Sequence, residues 1–260
     1  MVLINLARVG RRRLCGVISF IILATASAAR AQTPASAEAY LRRGLARQSR
    51  GQVSGALADF TRAVEMKPSL APAYYYRGNL FYERGEFDAA IRDYGKLVAL
   101  DPRSAAAYYN RGVARFAKGD WAGAVGDLTG AVSLDAGHAR AYYVRGVAKH
   151  MSGDIDGAIA DFDRAVGADP HYAEAYNNRG AARQSEGDLK GAVADFSKAI
   201  AIDPGYAEAY ANRGAALLLL GREREAQRDF DRSVRLSRGA RGVVGERIRG
   251  AKRPGPLVSK

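Results

Sequence analysis

Six arginines recur at an interval of 34 residues: Arg43, Arg77, Arg111, Arg145, Arg179 and Arg213. Sixteen residues after each comes an aspartate: Asp59, Asp93, Asp127, Asp161, Asp195 and Asp229. A guanidinium and a carboxylate can form a two-pronged, charge-assisted pair. Six pairs in register predict an ion-pair ladder rather than independent solvated charges, although an exposed pair contributes only about 0–1 kcal/mol. Residues arranged for catalysis are harder to find. His138, His150 and His171 have no HExxH-type spacing, and neither GxSxG nor GxxxxGK[ST] occurs. The acids follow the repeat, as a solvated helix face would. The chain therefore reads as non-catalytic, with no cofactor and no metal site.

The arginines sit in a recurring hexapeptide: AYLRRG, AYYYRG, AYYNRG, AYYVRG, AYNNRG and AYANRG. Its glycines, Gly44, Gly78, Gly112, Gly146, Gly180 and Gly214, are followed seven residues later by Gly51, Gly85, Gly119, Gly153, Gly187 and Gly221. A third series runs Ala56, Ala90, Ala124, Ala158, Ala192 and Ala226, and a fourth Phe60, Tyr94, Leu128, Phe162, Phe196 and Phe230. Apolar residues before the second glycine have helical spacing, as in Tyr74, Gly78, Phe81 and Tyr82. The second glycine can take positive φ and close that helix. Asp120, Asp154 and Asp188 then stand where they can cap another. Asp-Pro at 101–102, 169–170 and 203–204 separates one unit from the next. A helical hairpin of this size cannot bury its own core, so six must stack.

Large residue, Gly, Ala, aromatic and Pro at a period of 34 resemble the tetratricopeptide repeat. The resemblance covers repeats at about 37–70, 71–104, 105–138, 139–172, 173–206 and 207–240. It implies an all-α fold, a TPR α-solenoid forming a right-handed superhelix of about six helix-turn-helix repeats. The arginine is a departure, since the family commonly has leucine there. The resemblance also implies a protein-binding groove lined by the first helices. Its candidate peptide-binding residues are Tyr75, Asn79, Tyr109, Asn110, Arg140, Tyr143, Asn177, Asn178 and Asn212. Asparagine both donates and accepts, and tyrosine supplies apolar area with a polar tip. These asparagines could instead face water and the tyrosines pack between helices. In family members that grip a carboxylate, five positions form a clamp, here Tyr75, Asn79, Asn110, Arg140 and Val144. Two of its three expected cations are missing.

Both ends are basic. The net charge is +13, but residues 32–234 hold 27 basic and 26 acidic residues. Residues 1–31 hold five arginines and no acid; residues 235–260 hold eight Lys or Arg and one Glu. Arg8 and Arg11–Arg13, the apolar run LCGVISFIILA and the sequence ARA at 29–31 predict a secretory signal peptide cut after Ala31, hence export to the periplasm. The alternative is a membrane anchor retained at 14–28, although the run is short of the roughly 20 residues that span a bilayer. Cys15 would leave with the signal. A short leader occupies 32–36. Gly, Pro and charge at 241–260 predict a disordered basic tail making at most weak contact with an anionic surface. The tail has no interleaved aromatics for stacking on bases.

The function expected is an exported scaffold that binds a protein or peptide partner, without specific nucleic acid or a small-molecule substrate. The alternative is an envelope-associated structural protein acting through its tail and convex face.

Overall fold

The computed structural model describes residues 36–237 and 239–252. The signal-peptide expectation, most of the short leader and the last eight residues of the tail lie outside them. Thirteen helices are present among the described residues, in two compact units divided between Leu100 and Asp101.

The first unit contains α1 (Ala37–Ser49), α2 (Val53–Met66), α3 (Ala71–Glu83) and α4 (Phe87–Leu100). The second begins with α5 (Ala105–Lys118), α6 (Trp121–Leu134), α7 (Ala139–Met151) and α8 (Ile155–Ala168). It continues with α9 (Ala173–Ser185), α10 (Leu189–Ile202), α11 (Ala207–Leu219), α12 (Glu223–Leu236) and α13 (Ala240–Lys252). Odd and even helices pair as hairpins through α12, one per 34-residue repeat. Within each unit the second helix of a repeat packs on the first helix of the next, α2 on α3 in one and α6 on α7, α8 on α9 and α10 on α11 in the other.

The punctuation follows the sequence. The second glycine of every repeat has φ between 73° and 89°, the left-handed region that ends a helix at little cost to glycine alone. Asp120, Asp154 and Asp188 cap α6, α8 and α10 by accepting from the backbone N–H of Gly123, Gly157 and Gly191 at 2.9 Å. Asp101, Asp135, Asp169 and Asp203 each accept from the N–H two residues on, at 2.9–3.0 Å, which turns the chain into the next repeat.

The hairpin seam is a contact between glycine and a large side chain. A Cβ on Gly112 would stand 2.8 Å from Leu128 Cγ, and one on Gly180 2.8 Å from the Phe196 ring. The alanine series beside it is 0–1% exposed. Core formation therefore depends on close helix approach, with one large residue per hairpin filling the seam between its two helices.

α12 has the expected polar exterior, with only Ala226, Asp229, Phe230 and Ser233 buried. It is not the last element. The tail expected to be disordered from residue 241 instead continues as α13, packed on α11 and α12. Val244 and Ile248 lie one helical turn apart and join a cluster containing Ala211, Leu217, Leu218, Ala226 and Phe230. Three glycines at 242, 245 and 250 conceal this helix in the sequence, and docking overrides their low propensity.

Candidate functional site

The six Arg–Asp pairs all form. Each guanidinium donates through Nε and Nη2 to the two oxygens of its aspartate at 2.5–2.9 Å. The aspartates are buried, 2–6% exposed, so these are not the solvated surface charges that the simple alternative would give. In four repeats a second cation joins: Arg47 on Asp59, Arg115 on Asp127, Lys149 on Asp161 and Arg183 on Asp195, at 2.8–3.0 Å. Each arginine also lies over the tyrosine three residues before it, with 5.1–5.7 Å to the ring centroid. Its Nη1 reaches back to the preceding repeat in four cases: Arg77 to Thr61, Arg145 to Thr129, Arg179 to Asp163 and Arg213 to Ser197. The recurring chemistry of the hexapeptide is thus spent within and between repeats, and the ladder is structural.

The candidate groove residues divide differently. Tyr75 and Asn79 belong to the first unit. Tyr75 is half-buried with its ring edge-on to Tyr76 at 5.2 Å, and Asn79 accepts a hydrogen bond from the Tyr94 hydroxyl at 2.7 Å. The other seven belong to the second unit. Four of them, Tyr143, Asn177, Asn178 and Asn212, are only 1–5% exposed, and so do not line an open groove. They form a continuous chain across three repeats. Asn212 Nδ2 donates to Asn177 Oδ1 at 2.9 Å, Asn177 Nδ2 to Asn178 Oδ1 at 3.5 Å, and Asn178 Nδ2 to the Tyr143 hydroxyl at 2.9 Å. The physical reason is desolvation: stacking buries these positions, and a buried amide must find a partner. The sequence carried a signal for this. Tyr143 and Asn178, like Asn177 and Asn212, stand 35 residues apart, and this spacing joins adjacent first helices. Val144, one of the five clamp positions, is also buried at 3% exposure.

What stays part-open on the first-helix face of the second unit is Tyr109, Asn110, His138 and Arg140. The Tyr109 and His138 rings lie 4.7 Å apart. His138 caps α7, its Nδ1 accepting from the Ala141 N–H at 3.2 Å. Burial holds its imidazole below the ordinary value, Asp135 pulls the other way, and Arg140 adds to the depression. Tyr172 continues the aromatic row, 4.8 Å from Tyr143. Burial, then Tyr143, Tyr109 and Glu174, hold the Tyr172 phenol above its ordinary range, while Arg140 opposes them. The row therefore offers neutral aromatic surface beside one exposed guanidinium. Among the described residues, no group of three or more His, Cys, Asp or Glu could hold a metal ion.

Models of the tetratricopeptide repeat match residues 78–119 and 182–221, 118–173 and 207–239, more than half of the sequence. The chain belongs to the tetratricopeptide repeat family, whose stacked hairpins serve as protein-interaction scaffolds. A crystal structure of MamA is similar at 30% identity over 66% of this chain and 94% of that one, with a TM-score of 0.60. YrrB, described as a TPR protein with an unusual peptide-binding site, is 24% identical over 74% of this chain and 97% of that one, TM-score 0.60. The pilF protein of Pseudomonas aeruginosa is 18% identical over 83% and 97%, TM-score 0.68. The latter two share the fold. No curated protein matches the sequence significantly.

Proposed function

We propose that this chain is an exported, non-catalytic scaffold whose first-helix face binds an extended peptide or a helix of a partner protein. The observation that carries the reading is the part-open patch of Tyr109, Asn110, His138 and Arg140, left where neighbouring polar residues are consumed in packing. An exposed guanidinium beside an amide and an aromatic pair suits a carboxylate or a backbone carbonyl placed against apolar surface. Export is supported by the arginines at 8 and 11–13, the apolar run behind them and the ARA sequence. No described helix is long and apolar enough to cross a membrane.

A photo-crosslinking residue in place of Tyr109, in intact Gram-negative cells, tests the binding face. The expected result is a discrete adduct that R140E removes and R164E, on the second helix of the same repeat, leaves intact. Equal loss with both variants, or no adduct, overturns the reading. Mass measurement on the same material tests export: a soluble periplasmic species beginning at Gln32 is expected, and a full-length membrane species would refute it.

A further inference from the structure

We propose that the segment bound at the Tyr109–Arg140 face is extended rather than helical: a polyproline II stretch with one acidic and one basic side chain three residues apart, the carboxylate on Arg140 and the cation on Glu174. This rests on the partner-binding reading above and gives the partner its conformation and charge pattern.

The charges come first. Arg140 and Glu174 stand one repeat apart, each second in its helix, α7 and α9. The same place in α1 and α11 is held by Glu38 and Glu208. A carboxylate suits the positive end of a helix and a cation does not, so Arg140 is a departure that its own helix does not favour. The neighbouring cations are spent internally, Arg145 and Lys149 on Asp161, Arg179 and Arg183 on Asp195. Arg140 and Glu174 belong to no ion pair among the described residues. Arg140 is exposed and Glu174 part-open. Both act on the Tyr172 phenol, which Glu174 pushes up and Arg140 draws down. Opposite charges left apart on either side of one ring are complementary to a ligand that carries the reversed pair.

Spacing and shape select the conformation. α7 and α9 touch as neighbouring first helices. The axes of packed helices lie about 8–10 Å apart, and equivalent residues are separated by a similar distance. In polyproline II, residues three apart share one side of the chain at about 9 Å. A helix with its side chains is about 10–12 Å across and needs a furrow. Here the rings close on one another, Tyr109 on His138 at 4.7 Å and Tyr143 on Tyr172 at 4.8 Å, and Asn178 seals the Tyr143 hydroxyl. What remains is a narrow strip with the partly exposed rings of Tyr109, His138 and Tyr172, the kind of aromatic surface on which an extended proline-rich chain lies.

The test uses the full chain and capped, fluorescein-labelled peptides, followed by fluorescence anisotropy. Wild type is expected to bind PPEPPKPP saturably. It should bind at least fivefold more weakly when the acid and base are two or five residues apart, and likewise to the like-charged PPEPPEPP and PPKPPKPP. R140E leaves two acids on the strip and is expected to prefer PPKPPKPP. E174K leaves two cations and is expected to prefer PPEPPEPP. Circular dichroism checks that both variants keep their helicity, and the wild-type spacing comparison stands without any variant. Absence of saturable binding, equal binding at every spacing, or an unchanged preference in both variants overturns the proposal. So does tighter binding of an alanine-based helical peptide with acid and base seven residues apart, because the partner is then a helix. An adduct at Tyr109 in cells without binding of PPEPPKPP sinks this proposal alone; binding of PPEPPKPP without an adduct sinks the cellular reading and leaves this one standing.

Discussion

Asn212 donates its amide to Asn177, 35 residues earlier, at 2.9 Å, and neither side chain is more than 3% exposed. The bond joins the first helices of neighbouring repeats, and Asn178 with Tyr143 repeats it one step back. These asparagines hold the stack together where a ligand was expected to use them.

Asn178→Ala leaves the Tyr143 hydroxyl without its donor and the Asn177 amide without its acceptor. An unsatisfied buried polar group costs about 1–3 kcal/mol, so the variant should unfold at lower urea concentration by that much. Asn110→Ala, at a part-open position, should stay within about 0.5 kcal/mol of wild type. Equal midpoints for the two variants would remove the distinction between packing and open asparagines.

Arg111→Leu restores the residue usual in the family but leaves Asp127 buried with only Arg115 as a cation. Removing the partner of a buried charge costs up to about 3–5 kcal/mol, of which the retained Arg115 offsets a part, whereas replacing both partners is often nearly neutral. The double variant R111L/D127A should therefore be more stable than R111L alone. Urea midpoints for both, with helicity by circular dichroism, check the order.

His138 makes stability depend on pH. Its ring must be neutral to accept from Ala141, and its folded pKa lies below the ordinary value of about 6.5. The unfolded chain takes up the proton first as pH falls. The contribution is complete above about 6.5 and is lost as pH drops through the folded value. His138→Asn keeps a capping side chain without titrating. The urea midpoint of wild type should fall between pH 7.5 and 5.5 by more than that of His138→Asn; parallel falls would assign the effect elsewhere, His150 included.

Gly112→Ala places a methyl 2.8 Å from Leu128 Cγ, and Asp127 Cβ lies 3.3 Å away. Overpacking of this kind costs about 1–3 kcal/mol. Combining it with Leu128→Ala should cost less than the sum of the two single changes, because the methyl then enters space the leucine has left.

The fold was legible because the same physical instructions are written six times. Gly51 and its counterparts fix the turns, Asp120 and its kin the caps, and Gly112 opposite Leu128 the helix approach. The Arg–Asp ladder was legible for the same reason, from a constant offset of sixteen. The groove was less so. Family resemblance placed Asn177, Asn178 and Asn212 on the binding face, but a spacing within one repeat does not say how far the next repeat will cover it. The informative offset was 35, which crosses between repeats. α13 was hidden because Gly242, Gly245 and Gly250 suppress local helical preference, and the helix forms on the surface that α11 and α12 provide.

The rungs at offset 35 also bear on how such an array can change in copy number. Each rung needs a polar side chain at one place in a repeat and an amide at the following place in its successor. Removing the fifth repeat would bring Tyr143 against Asn212, and copying it would bring Asn177 against a second Asn178; both joints keep a donor and an acceptor. Exchanging the fourth and fifth repeats would set Asn177 against Val144, which offers neither. The array can gain or lose its fifth repeat, but it cannot reorder the fourth and fifth without breaking a joint.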